Sequence, residues 1–145
     1  MLFKNEEVSL KLEISNYEFP ADGGDPTSDD RNWLVLRAMY TDDNGMVIKD
    51  SNSCLLTYEL KEMAAGLKVL CAGLKERYDS SFAEPYFTLS AQADGEAFLV
   101  MVSFALPNTM EDLDTADVEA RLTREEMRDL IDELDMLCAK FPERA

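Results

Sequence analysis

The sequence predicts an α+β fold: a mainly antiparallel six-stranded sheet, in the order β-β-β-α-β-β-β-α, with two helices packed on one face. Three observations carry this reading. Apolar and polar residues alternate over several short runs, apolar residues recur at three and four positions in two longer runs, and turn dipeptides join the short runs. Strands joined by hairpins pair antiparallel, and helices that follow such runs cover the sheet. The chain has 145 residues and 46% hydrophobic content. That is one domain's worth, read as a single unit over 1–145, able to bury a core without a disulfide or metal.

Residues 2–14 alternate, with Val8, Leu10, Leu12 and Ile14 on one side and Ser9, Lys11 and Glu13 on the other. They read as a half-buried strand whose pattern lapses near Asn5. Asn16-Tyr17-Glu18-Phe19-Pro20 ends it, and the Asp-, Gly- and Pro-rich stretch from Ala21 to Asn32 reads as a surface loop. Trp33 to Tyr40 is a strand, Asn44-Gly45 supplies a tight hairpin turn, and Met46 to Ile48 begins the return. Thr57 reads as the cap of a first helix, with Glu59 in its first turn. Its core stripe is Leu60, Met63, Ala64, Leu67, Leu70, Cys71 and Leu74. Gly66 and Gly73 weaken this helix, and Gly73 suits its last turn.

Pro85 to Ser90 is a strand, Asp94-Gly95 a turn, and Ala97 to Leu106 a longer strand. Asp112 to Asp117 reads as loop and Val118 to Leu122 as a short last strand. Thr123 with Glu126 forms a capping box that opens a second helix. Met127, Leu130, Ile131, Leu134, Cys138 and Phe141 make its core stripe, and Pro142 stops it. The two halves are alike in order, yet no sequence repeat links them.

Thirty acidic residues face 14 basic ones, for a net charge of −16. A nucleic-acid binder needs the opposite surplus, and an anionic membrane repels such a chain. No apolar run approaches the roughly 20 residues that span a bilayer, and the first residues carry acids where a signal peptide would be apolar. Cys54, Cys71 and Cys138 are odd in number and sit among apolar neighbours, as reduced thiols of a cytoplasmic protein do. The chain has no histidine. Ser-His-Asp and Cys-His catalysis and histidine zinc sites are thereby excluded, and no P-loop, CxxC, GxSxG or GxGxxG is present. Many carboxylate pairs exist and nothing selects one, so no enzyme, cofactor or metal site is expected.

The acids are unevenly placed. From Glu111 to Asp135 eleven acids face three arginines, net −8, half of the whole imbalance. Glu125, Glu126, Asp129, Asp132 and Glu133 form a ridge on the second helix, where like charges at i,i+4 cost a few tenths of a kcal/mol each. Asp22, Asp25, Asp29 and Asp30 form a second cluster in the 21–32 loop. Their spacing fits no EF-hand, and Asp112, Asp114, Asp117 and Glu119 do no better. One reading is a solvated surface; the other is a docking surface for a basic partner, where charge speeds association and selects partners. Trp33 reads as a packing residue or an interface anchor.

Tyr17-Glu18-Phe19-Pro20, Asn32-Trp33-Leu34-Val35, Cys54-Leu55-Leu56-Thr57 with Glu59-Leu60, Glu84-Pro85 and Phe141-Pro142 occur in that order. With these the chain resembles the WapI-like immunity proteins, cytoplasmic antidotes to wall-associated polymorphic toxins of bacteria. The resemblance covers nearly the whole chain and includes no catalytic motif. It implies a non-enzymatic inhibitor that binds a cognate toxin domain. Such toxins are often nucleases with basic clefts, which the acidic residues suit. The alternative is an acidic cytosolic secretion chaperone, although those commonly begin with a helix and this chain begins with a strand.

Overall fold

The computed structural model describes residues 1–25, 28–105 and 115–144. Its elements are β1 (Leu2–Lys4), β2 (Ser9–Tyr17), β3 (Trp33–Thr41), β4 (Val47–Leu56), α1 (Thr57–Cys71), β5 (Arg77–Asp79), β6 (Phe87–Asp94), β7 (Ala97–Ala105), β8 (Thr115–Leu122) and α2 (Arg124–Lys140). The α+β class holds, but the single six-stranded sheet does not. Two four-stranded antiparallel sheets form, β1-β2-β3-β4 and β5-β6-β7-β8. The similar halves foreseen in the sequence become two ββββα units.

The extra strands have local causes. Asn5 Oδ1 accepts the N–H groups of Glu7 and Val8 at 2.8 and 2.9 Å, an Asx turn that folds the chain back on itself. The expected strand over 2–14 is therefore two, paired with Leu2 opposite Lys11 and Phe3 opposite Leu10. β5 is only 3 residues long, too short for alternation to show in the sequence. Asp117, expected in a loop, lies within β8 opposite Ser103. Thr115 and Ala116 of that expected loop are likewise in β8, while residues 112–114 fall outside the described residues, as do Glu111 and the end of the Ala97–Leu106 strand.

The Asn44-Gly45 turn forms as expected, with Gly45 at φ +80° and Asp42 Oδ1 accepting from the Asn44 and Met46 N–H groups. The first helix starts differently. Leu56 is its cap and Thr57 its first residue, because Glu59 Oε1 takes the Leu56 N–H at 3.0 Å while the Thr57 hydroxyl turns to Asn32. Leu74 is not in the stripe: α1 ends at Cys71, and Leu74 is 77% exposed.

One core joins the sheets and helices. Leu10, Leu12, Leu34 and Leu36 enter it from the first sheet, and Phe87, Phe98, Val100 and Phe104 from the second. Leu60, Met63 and Leu67 of α1 and Met127, Leu130 and Leu134 of α2 close it. The helices pack on each other; α1 reaches β4, β5 and β6, and α2 reaches β7 and β8. They therefore bridge two sheets instead of lying on one face of a single sheet. The sheet edges β1 and β8 approach one another, where Asn5 Nδ2 donates to the Glu119 carbonyl at 2.9 Å.

Candidate docking surface

The acidic ridge of α2 is a consequence of helical phase. Met127, Leu130, Ile131 and Leu134 are buried, so the intervening acids project into solvent. Glu125, Glu126, Asp129, Asp132 and Glu133 are all exposed. Two of them hold the fold together. Glu126 completes the capping box by accepting the Thr123 N–H at 3.0 Å, while its own N–H donates to Thr123 Oγ1. Glu133 Oε1 takes the buried Met1 ammonium at 2.8 Å. Glu125, Asp129 and Asp132 have neither a hydrogen bond nor an ion pair among the described residues.

Beyond these acids, toward the end of α2, stands Met136, 73% exposed and out of phase with the core stripe. It lies four residues beyond Asp132 and seven beyond Asp129, on the same crest. An exposed methionine flanked by carboxylates is what association surfaces use, because its flexible side chain adapts to a partner. The sequence carried the signal, an apolar residue off the stripe, but the eye follows the stripe. Asp135 on the adjoining face is occupied differently: it pairs with Lys68 at 2.8 Å and ties α2 to α1.

The loop acids are placed elsewhere. Asp30 Oδ2 accepts the Asp25 N–H at 3.0 Å, and Ser28 Oγ accepts the Asp30 N–H at 3.2 Å. Tyr58 at the start of α1 donates its hydroxyl to Asp29 at 3.1 Å. Burial, then that hydrogen bond, push the Tyr58 hydroxyl up to about 12. Asp22 and Asp25 are exposed. Asn32 ties this region to Arg144 beyond the end of α2, whereas Arg124, next to Glu125, reaches the Cys71 carbonyl at the far end of α1. The loop cluster thus lies past the C-terminal end of α2, whereas the ridge starts in its first turn and runs to Glu133.

The sequence runs quoted for the resemblance, far apart in the chain, meet at one place. Asn32 Oδ1 accepts from the Thr57 hydroxyl at 2.9 Å and from the Arg144 N–H at 2.7 Å. Tyr17 donates its hydroxyl to the Pro142 carbonyl at 2.6 Å and meets the Phe141 ring edge-on. The Arg144 guanidinium lies 3.3 Å over the Tyr17 ring and donates to the Phe19 carbonyl. Glu59, buried at 3% exposure, takes the Leu56 and Ala83 N–H groups, the latter just before Glu84-Pro85. These residues knot the fold, and Trp33 is half-buried beside them. Among the described residues no group of three or more Cys, Asp or Glu side chains is arranged to hold a metal ion. No helix is long and apolar enough to cross a membrane.

The three thiols are free. Cys54 is fully buried, and burial pushes it up to about 12; Cys138, half-buried between the helices, is also raised by burial. Neither is an activated nucleophile.

A family model described as "Immunity protein WapI-like family" matches residues 1–142. No curated protein matches the chain, and no solved structure does.

Proposed function

Because the chain belongs to the WapI-like immunity protein family, we propose that it neutralises its toxin by docking the exposed α2 crest onto a basic surface of the toxin domain. Family membership implies toxin immunity and a cognate toxin as partner. The observation that carries the finer reading is the crest itself: Asp129 and Asp132 without a partner among the described residues, and Met136 exposed one turn beyond them. Unpaired carboxylates on a helix cost stability, and a partner's cations offset that cost on binding.

In this reading Glu125, Asp129, Asp132 and Met136 make the contact, while Glu126 and Glu133 shape the helix that presents them. Asp22, Asp25, Asp29 and Asp30 extend the acidic field toward the other end of α2 and steer the approach. The toxin's basic surface is a cleft that holds phosphates, as in a nuclease, and carboxylates seated there exclude substrate without any catalytic step. The encounter takes place in the cytoplasm.

The test is binding of the purified chain to the toxin domain encoded upstream of it, by calorimetry at several salt concentrations. Affinity should fall steeply as salt rises, and Asp129→Lys with Asp132→Lys should weaken it about tenfold or more. Reversal at Asp22 and Asp25 should slow association with little effect on dissociation. Salt-independent binding that survives the α2 reversals would sink the reading.

A further inference from the structure

A chain of net charge −16 carries one face of the opposite sign. Antiparallel pairing in the first sheet sends Lys4, Lys11, Arg37 and Lys49 outward from four different strands. Two acids accompany them: Glu13, which Lys11 takes at 3.0 Å, and Asp50 of β4, which borders the same depression, so the face keeps a positive balance of four cations to two acids. Lys4, Arg37 and Lys49 have no ion pair among the described residues. The register sets Leu2, Lys11, Met39 and Lys49 in one row across the sheet. Between the strands lies a shallow depression of about 430 Å³ whose lining includes Lys11, Glu13, Arg37, Met39, Lys49 and Asp50.

Leu2 is the seam between this face and the α2 flank. It is 55% exposed and also lines the depression bounded by Glu126, Asp129, Leu130 and Glu133. A basic row therefore begins on one side of an exposed leucine and an acidic stripe on the other. Such a surface is complementary to itself: turned about a two-fold axis at the seam, each acidic stripe meets the other copy's basic row, and the contact closes. The sheet face and helix flank together offer on the order of 700 Å² per copy, near the roughly 800 Å² of a standard interface. The opposed net charges are screened beyond about 8 Å at physiological salt, while contact pairs are not. A nucleic acid would have to approach the basic row across the field of the remaining acids, which disfavours it.

We propose that this two-signed surface docks a second copy of the chain, with Leu2 at the centre and Asp129 of each copy facing the Lys11–Lys49 row of the other. The dimer and the toxin reading share Asp129 and compete for it; Lys11 and Lys49, which the toxin reading does not use, tell the two apart. The test is sedimentation equilibrium of the full chain at about 0.15 M salt, from roughly 1 to 200 µM. The wild type should show a reversible dimer. Lys11→Glu with Lys49→Glu should weaken it at least about tenfold, and so should Asp129→Lys, because each change acts twice in a two-fold dimer. Mixing the two variants should restore association as a heterodimer, since each reversed surface then finds its complement. Circular dichroism and urea midpoints establish that both variants are folded. A wild type monomeric throughout, a dimer indifferent to either change, or a mixture that fails to associate would overturn the proposal. So would a monomer whose toxin affinity falls with Lys11→Glu and Lys49→Glu, which would assign the face to the toxin.

Discussion

Asn32 and Arg144, 112 residues apart in the chain, hold each other by two hydrogen bonds: the Arg144 N–H donates to Asn32 Oδ1 at 2.7 Å, and Asn32 Nδ2 donates to the Arg144 carbonyl at 3.0 Å. The pair fastens the segment after α2 to the start of the first sheet's β3. Asn32 is buried, and its Oδ1 also serves the Thr57 hydroxyl, so one amide satisfies three groups from two other parts of the chain.

Removing that amide leaves buried polar groups without partners. Asn32→Ala should cost about 2 kcal/mol, read as a lower urea midpoint with an unchanged slope. Arg144→Ala removes the stacking on Tyr17 and the bond to Phe19 and should cost about 1 kcal/mol. Because both residues belong to one network, the double variant should cost less than the two costs added. Full additivity would show that the network is not cooperative.

Glu59 makes a similar test inside the fold. Its carboxylate accepts from Leu56 at the start of α1 and from Ala83 ahead of β6. Glu59→Ala strands both donors and should cost about 3 kcal/mol. Glu59→Gln keeps an acceptor and should recover about half of that. Equal losses for both variants in urea unfolding would mean that the charge, not the acceptor geometry, is what matters.

Gly66 lies within α1 where a helix former would be expected, and the reason is Tyr78. A Cβ built at Gly66 would fall 2.3 and 2.4 Å from carbons of the Tyr78 ring, so any side chain displaces the ring. Gly66→Ala should therefore destabilise by about 1–3 kcal/mol, overcoming the helix-propensity gain of about 1 kcal/mol. In a Tyr78→Ser background the same change should stabilise. A sign that does not reverse between the two backgrounds would rule out this explanation.

High pH should unfold the protein earlier than its surface charge alone predicts. Burial pushes Cys54 and Tyr78 up to about 12, and Tyr40 is raised as well. A group raised in the folded state keeps its proton there and loses it first in the unfolded chain. Stability is therefore full below the ordinary Cys and Tyr range and is lost as pH climbs from 9 toward 12. Urea midpoints at pH 8 and above pH 10 should show this fall, and Tyr78→Phe should make it shallower. Absorbance titration should show Tyr58 and Tyr78 ionising only about 12.

Thiol labelling separates the three cysteines. Cys71 and Cys138 are half-buried, whereas Cys54 is wholly enclosed. At pH 8 Ellman's reagent should react with Cys71 and Cys138 in the folded protein and with Cys54 only after urea is added. Prompt labelling of Cys54 would show that β4 opens locally.

Most of the local structure was legible in the residues, because alternation and helical recurrence are one-dimensional patterns that burial imposes on the chain. The α2 stripe, its capping box and the Asn44-Gly45 turn are all of this kind, and so is the family resemblance carried by Asn32-Trp33 and Phe141-Pro142. The acidic ridge was legible too, since helical phase alone puts Asp129 and Asp132 outside. Three things were not. The Asx turn at Asn5 splits a strand that alternation alone leaves whole and adds an edge strand to the first sheet, and the division into two sheets falls between β4 and β5, where α1 intervenes. The duties of Glu59 and Glu133 depend on partners as far as 24 and 132 residues away, which leaves them indistinguishable in sequence from any surface acid. The basic face is assembled from positions 4, 11, 37 and 49, which share nothing until strand pairing turns them to one side of the sheet and register sets Lys11 and Lys49 in one row. Sequence determined which residues face in and which face out; pairing and packing decided which outward residues are neighbours, because contact across strands is fixed by hydrogen-bond register and not by distance along the chain.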